Sequence, residues 1–208
     1  MVRRRATRGL CGSAGFSLLE ILLALALLVI LIGKITVIMD TSSQFLNQNM
    51  ADVVLEDQAQ RSLDRVAYAI LSSDRGTLLP EAEKPLFTSS LDYRVSLGVE
   101  NGEVVWNDPE NIGLGAQPNQ LTWRSNPGTP EERRVVWSNI VRPFLEGEIL
   151  NGIDDNKNGI IDEKGISFVL FRNSVTIRLT LGRELAGGGI AEETVETTVT
   201  VRNLSKES

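Results

Sequence analysis

Residues 15–33 read GFSLLEILLALALLVILIG. The apolar run extends from Phe16 to about Met39 and is broken only by Ser17, Glu20, Gly33, Lys34 and Thr36. As a helix, these ~24 residues at ~1.5 Å each reach ~36 Å, more than the ~30 Å hydrocarbon core of a bilayer. Leu, Ile and Ala dominate and no proline interrupts them, so a helix is expected. Arg3, Arg4, Arg5 and Arg8 precede the run, and residues 1–15 contain no acid. The positive-inside rule then keeps the N-terminus in the cytoplasm and exports the C-terminal body. An ordinary signal peptide has an apolar core of ~7–15 residues followed by a small-residue cleavage site. No Ala-x-Ala sequence follows this longer run, and Cys11 precedes it, the wrong order for a lipid-modified cysteine.

The rest of the composition narrows the function. The chain has 208 residues and a formal charge of −6; 42% are hydrophobic and 23% charged, values of an ordinary folded protein. There is no histidine and a single cysteine. That excludes Ser-His-Asp and Cys-His nucleophile systems, zinc sites of Cys/His type and a disulfide framework. Adjacent acids such as Glu131-Glu132 and Glu192-Glu193 point apart in a strand, so no catalytic residue is assigned and a non-enzymatic role is expected. The unusual residue is Glu20. A carboxylate costs roughly 2.5–3.5 kcal/mol at the centre of a membrane helix and less near its end, which makes it a functional-site candidate.

Gly15 to Glu20, GFSLLE, follows a short basic leader and precedes an unbroken apolar helix. It resembles the processing site of type IV prepilins and type II secretion pseudopilins. The resemblance rests on the Gly, the following Phe, the Ser-Leu pair, the Glu five residues into the mature chain and the helix behind it. It implies cleavage after Gly15 by a membrane-embedded prepilin peptidase and N-methylation of Phe16. It also implies that Glu20 pairs with the Phe16 amine of an adjacent subunit during filament assembly. The leader holds four of the 21 basic residues and none of the 27 acidic ones, so this cut leaves 193 residues with a charge of −10. An acidic exported body makes nucleic acid an unexpected partner, because phosphate contacts need clustered Lys and Arg.

The chain divides into a leader (1–15), a membrane half of the helix (16–39), an amphipathic half (40–75) and a β-rich body (76–208). In the amphipathic half, Leu46, Met50, Val53, Leu63, Val66, Ala67 and Ile70 recur at helical spacing between acids, glutamines and arginines. The helix is expected to end near Ser73–Gly76, giving one helix of about 55 residues or an anchor plus a separate core helix. Gly33 and Thr41–Ser43 are candidate bends. Residues 77–90, with Pro80 and Pro85, read as a loop. Tyr93–Glu100 and Glu103–Asn107 flank Asn101-Gly102, a strong hairpin signal. Gln120–Arg124, Arg134–Val141, Ile166–Arg172, Val175–Gly182 and Thr194–Arg202 are further strands. Asn173-Ser174 marks a second hairpin, and Gly187–Gly189 a loop. The expected fold is α+β and pilin-like: a long N-terminal helix packed on an antiparallel sheet of about five to seven strands. Trp106, Trp123 and Trp137 are read as packing residues.

The body contains NGIDDNKNGIIDEKG, residues 151–165. Asp154, Asn156, Asn158, Gly159 and Asp162 fall at positions 1, 3, 5, 6 and 9 of an EF-hand-type calcium loop, with the Ile160 carbonyl at position 7. The likeness to EF-hand and dockerin-type loops departs at position 12, where Gly165 replaces the bidentate glutamate and Glu163 stands two residues early. A structural calcium held by Asp154, Asn156, Asn158, Ile160, Asp162 and Glu163, with Glu146 or Glu148 recruited, is one reading. A turn held by its own Asn and Asp side chains, with Lys157 pairing an acid, is the other.

The expected function is that of a filament subunit in the inner (cytoplasmic) membrane. Its partners would be other pilin or pseudopilin subunits and the prepilin peptidase. The large body resembles the layout of the J-type minor pseudopilin of type II secretion and of W-type minor pilins, implying a role in assembly and protein secretion. The alternative is an adhesin-like, calcium-dependent binding protein on an uncleaved signal anchor.

Overall fold

The structure, a computed structural model, describes residues 17–80, 85–185 and 188–201. It divides into two compact units, Met1–Asn47 and Gln48–Ser208. Gly15, Phe16 and the leader lie outside the described residues.

The described part of the first unit, from Leu18 on, is helical. Helix α1, Leu18–Ser72, has 55 residues. Its apolar part is long and hydropathic enough to cross a membrane, with mean hydropathy 2.9 over its best window. Leu22, Leu23, Leu25, Leu27 and Leu28, spaced around its circumference, are all exposed. Such a surface needs lipid or protein around it. The helix does not break at Gly33 or at Thr41–Ser43. Thr36 and Thr41 bond their hydroxyls back to the carbonyls of Ile32 and Val37, within the helix itself.

The second unit is α+β. From Gln48 onward α1 buries Leu55, Ala59, Leu63, Val66 and Ile70, spaced four, four, three and four residues along one face. The expected stripe had a different phase in its first half: Leu46, Met50 and Val53 are exposed. At ~100° per residue, Val53 and Leu55 lie ~200° apart around the axis, so both cannot face one core. The helix ends at Ser72, and the Ser73 hydroxyl bonds back to the Ile70 carbonyl at 2.6 Å. Asp74 then caps a 3-10 turn, Arg75–Thr77, by accepting from the Gly76 amide at 2.8 Å.

Among the described residues ten strands follow: β1 Leu86–Thr88, β2 Ser90–Tyr93, β3 Ser96–Glu100, β4 Glu103–Trp106, β5 Glu110–Leu114, β6 Leu121–Ser125, β7 Arg133–Ser138, β8 Ile166–Phe171, β9 Ser174–Glu184 and β10 Ile190–Thr200. All pair antiparallel. They form three sheets, ordered β1-β8-β9-β10, β2-β5-β6-β7 and β3-β4, in place of one sheet of five to seven strands. The run 77–90 is not all loop, since β1 and the start of β2 lie in it. Tyr93–Glu100 is divided at Arg94-Val95, where the chain leaves one sheet for another. Strand β5, ENIGL, lacks the alternating β-branched pattern. A Cβ on its Gly113 would meet the Ser90 hydroxyl at 2.9 Å and the Ser89 carbonyl at 3.0 Å, so close strand approach selects glycine there.

The core joins the α1 stripe to Ile166, Phe168 and Leu170 of β8, to Val175, Ile177, Leu179 and Leu181 of β9, and to Leu91, Ile112 and Leu121 of the second sheet. Trp123 and Trp137 pack against it. Beside it lies a buried polar group. The Trp123 indole donates to the Tyr93 hydroxyl at 3.1 Å and to Glu110 Oε2 at 2.8 Å, while Asn107 donates to Glu110 Oε1 at 2.9 Å. Burial first, then the neighbouring Glu110, pushes the Tyr93 phenol well above its ordinary 10.0. The folded state therefore keeps a proton that the unfolded chain loses above pH ~10. The associated stability is intact below that pH and lost as pH rises beyond it. Tyr93→Phe is expected to cost about 1 kcal/mol at neutral pH for the lost hydrogen bond. It should also flatten the alkaline limb by up to ~1.4 kcal/mol per pH unit, read from urea midpoints between pH 8 and 11.

Candidate functional site

Two regions carry the residues singled out in the sequence. The first is the start of α1. Ser17 precedes the helix, and the Glu20 amide bonds to its hydroxyl at 3.3 Å and its carbonyl at 3.0 Å. Ser17 is thus the N-cap and Glu20 the third helical residue, the S-x-x-E arrangement of a capping box. A carboxylate there also faces the positive end of the helix dipole. The S-x-x-E spacing of Ser17 and Glu20 is the sequence signal of this local role, which the reading of Glu20 as a lone membrane carboxylate passed over. Among the described residues no cation lies within ion-pair distance of Glu20.

The second region is the loop between β7 and β8. Asp154 accepts from the amides of Asn158, at 3.1 Å, and Gly159, at 2.8 Å. Asn156 Oδ1 also accepts from the Asn158 amide at 3.1 Å, and Asn158 Oδ1 accepts from the Ile160 amide at 2.9 Å. The chain thus wraps around Asp154, Asn156 and Asn158, with Gly159 at φ +93° completing the turn. Asp162 accepts from the amides of Asn151 and Gly152 at 3.0 to 3.2 Å and closes the loop at its other end.

Two acids reach into this loop from below. Glu148, 5% exposed, accepts from the Asn156 and Asp162 amides at 3.1 Å each. Glu146 is exposed and its amide bonds the Thr180 hydroxyl. Glu163 is fully buried. One of its oxygens takes the Asn158 side-chain amide, and the other takes the Ser167 hydroxyl at 3.0 Å and the Arg178 guanidinium at 3.2 Å. Arg178 also meets Glu196 of β10 at 2.5 Å. The two carboxylates raise its pKa against the opposing cost of burial. Arg178 and Ser167 come from β9 and β8, where no local sequence signal ties them to the loop.

Position 12 has a steric explanation. A Cβ on Gly165 would stand 1.8 Å from the carbonyl oxygen of Arg142. Residues 140–142 run beside β9 there: the Arg142 amide bonds the Thr180 carbonyl and the Gly182 amide bonds the Ile140 carbonyl. No glutamate fits at residue 165. Tested as a calcium site, the donor set fits in part. Asp154, Asn156 and Asn158 share one turn with Glu148 and Glu163 beneath it. Asp162 serves the 151–152 amides, and among the described residues no three acidic side chains converge on one point.

Comparisons with protein-family models, with curated proteins and with solved structures find no match to this chain.

Among the described residues Arg178 supplies the one cation in direct contact with buried Glu163. Arg178→Met is therefore expected to destabilise the protein by about 3–5 kcal/mol, because it leaves that carboxylate buried and unpaired. Adding Glu163→Gln should recover more than half of the loss, measured as urea midpoints of the two variants.

Proposed function

We propose that this chain is a subunit of a type IV pilin-like filament, either a pilus or a secretion pseudopilus. It is cut after Gly15, methylated on Phe16, and held in the cytoplasmic membrane by α1 with its body exported until assembly. The observation that carries this reading is Glu20. It closes the GFSLLE stretch as a carboxylate in the first turn of a helix whose apolar circumference is exposed, with no described cation in reach. Capping explains a polar side chain at that position, but Ser17 needs no charge at residue 20. A free amine at Phe16 of a neighbouring copy would supply the missing positive partner. Transfer of both groups into lipid would strengthen their attraction, since Coulomb energy grows as the dielectric falls. Packing of the apolar helices would bury what is exposed in the single chain.

A structural calcium on the Asp154 loop belongs to the same proposal. Asp154, Glu148, Asp162 and Glu163 bring four carboxylates to one loop, and of these four Arg178 bonds only Glu163. A divalent ion there would offset their repulsion and fix the entry to β8. Calcium should then raise the melting temperature of the wild type and shift Asp154→Ala little. An equal shift in both would leave the loop as a turn held by its own amides.

The assembly claim is tested with Glu20→Gln, which keeps the size and polarity of the side chain and removes its charge. The expected result is a chain cut after Gly15 as in wild type but at least tenfold depleted from sheared filaments. Incorporation at the wild-type level would refute the pairing role.

A further inference from the structure

Strand β7 closes one edge of its sheet, and among the described residues no strand borders its outer side. Arg133, Arg134, Val135 and Val136 are all exposed. The row Leu91, Ile112, Trp123 and Val135 crosses the sheet on its core face, as the registers place them. It is fully buried at Leu91 and Ile112, half-buried at Trp123 and 46% exposed at Val135. The apolar layer therefore runs off the edge without a strand to finish it. An exposed apolar edge of this kind is a template for another strand.

The β3–β4 hairpin presents the opposite problem. It forms a two-stranded sheet of its own, and such a hairpin is marginal in water. Leu97 and Val99 are 65% and 71% exposed. Glu100 and Glu103 are cross-strand partners, a repulsive pair, and among the described residues neither has an ion-pair partner. Strand β3 carries a bulge between Ser96 and Gly98 that blunts its free edge. Strand β4 is regular, so its edge is the open one.

The two open edges share a sequence. Strand β4 contains Glu103-Val104-Val105 and β7 contains Arg134-Val135-Val136. Laid parallel and in register, Glu103 meets Arg134, Val104 meets Val135, and Val105 meets Val136. The match stops at Trp137, which the β7 register shift pushes out of line. Arg134 bonds Glu132 through one nitrogen, at 3.0 Å, and keeps further donors free. Antiparallel pairing would place the valines together but would separate the two charges.

We propose that the outer edge of β4 in one copy pairs, parallel and in register, with the outer edge of β7 in a second copy. The occupant is this chain itself, because it carries both the matching valines and the complementary charge. The two surfaces differ, so the contact is heterologous and repeats from copy to copy, as a filament requires. The charges set register more than strength, since an exposed pair contributes little. The contact belongs to the body alone and holds whether or not residues 1–15 are removed.

The test uses the full chain in its membrane, with Cys11→Ala as background. Val105→Cys and Val136→Cys are introduced separately and together. Mild oxidation should give a covalent dimer and higher oligomers only for the pair, at least fivefold above Val105→Cys with Val135→Cys, whose side chains lie on opposite faces in this register. Adding Arg134→Glu should lower the yield severalfold, and adding Glu103→Arg to that chain should restore it. Dimers from either single cysteine would mean a symmetric contact and overturn the proposal. So would an excess of the 105–135 product, no cross-link at all, as for a subunit present once per filament, or a yield indifferent to charge reversal.

Discussion

The second unit depends on one packing contact: the face of α1 that carries Leu55, Ala59, Leu63, Val66 and Ile70, buried in the same core as β8 and β9. Each of these side chains is at most 2% exposed. Full burial of an aliphatic side chain contributes about 1.5–3 kcal/mol, so this contact is large against the 5–15 kcal/mol of a whole domain. It also explains the strand pattern opposite. Phe168 and Ile177 are register partners and both fully buried, whereas Ser167 and Arg178, partners on the other face, meet the loop acids instead. Alternation along β8 and β9 thus gives one face to the helix and the other to Glu163.

An acidic body buries several carboxylates because each one finds donors. Glu163 has Arg178 and Ser167; Glu148 has two backbone amides; Glu110 has Trp123 and Asn107. Among the described residues no buried side-chain polar atom lacks a partner. Neutral donors serve two of the three, and amides or indoles fixed by the backbone are suited to that task because they need little ordering on folding. The loop of residues 151–165 is consequently part of the body's framework, tied into β9 through Arg178, and a divalent ion would add to a frame already closed by amides.

What was legible in the sequence was local. Asn101 and Gly102 adopt φ of 54° and 87°, the left-handed pair that Asn-Gly encodes. The second hairpin turned one residue earlier than Asn173-Ser174: Phe171 pairs with Ser174, and Arg172 takes φ 53° without a glycine to announce it. The Asp154 turn could be read because Asp, Asn and Gly at alternating positions bond their own backbone. The helix phase was read correctly from Leu63 to Ile70, where one apolar stripe exists. Earlier in the helix it was ambiguous, because Val53, Val54 and Leu55 offer three different faces. Strands β1 and β5 and most of β2 lie outside the expected strands because their reason is non-local, a partner strand in place of an alternating pattern. Arg178 and Ser167 were missed for the same reason: contact with Glu163 depends on how sheet and loop are brought together, and no spacing encodes it.

The N-terminal segment is the simpler physical system. Its described residues form an apolar helix whose first turn carries Glu20, with no described cation in ion-pair reach, and the account stands on what joins that carboxylate. The most direct measurement is the intact mass and N-terminal peptide of the protein taken from its native membrane. The account predicts a chain that begins at Phe16 and carries the added mass of one methyl group on its amine. A chain that begins at Met1 or Val2 would contradict it, since no Phe16 amine would then exist for Glu20 to meet.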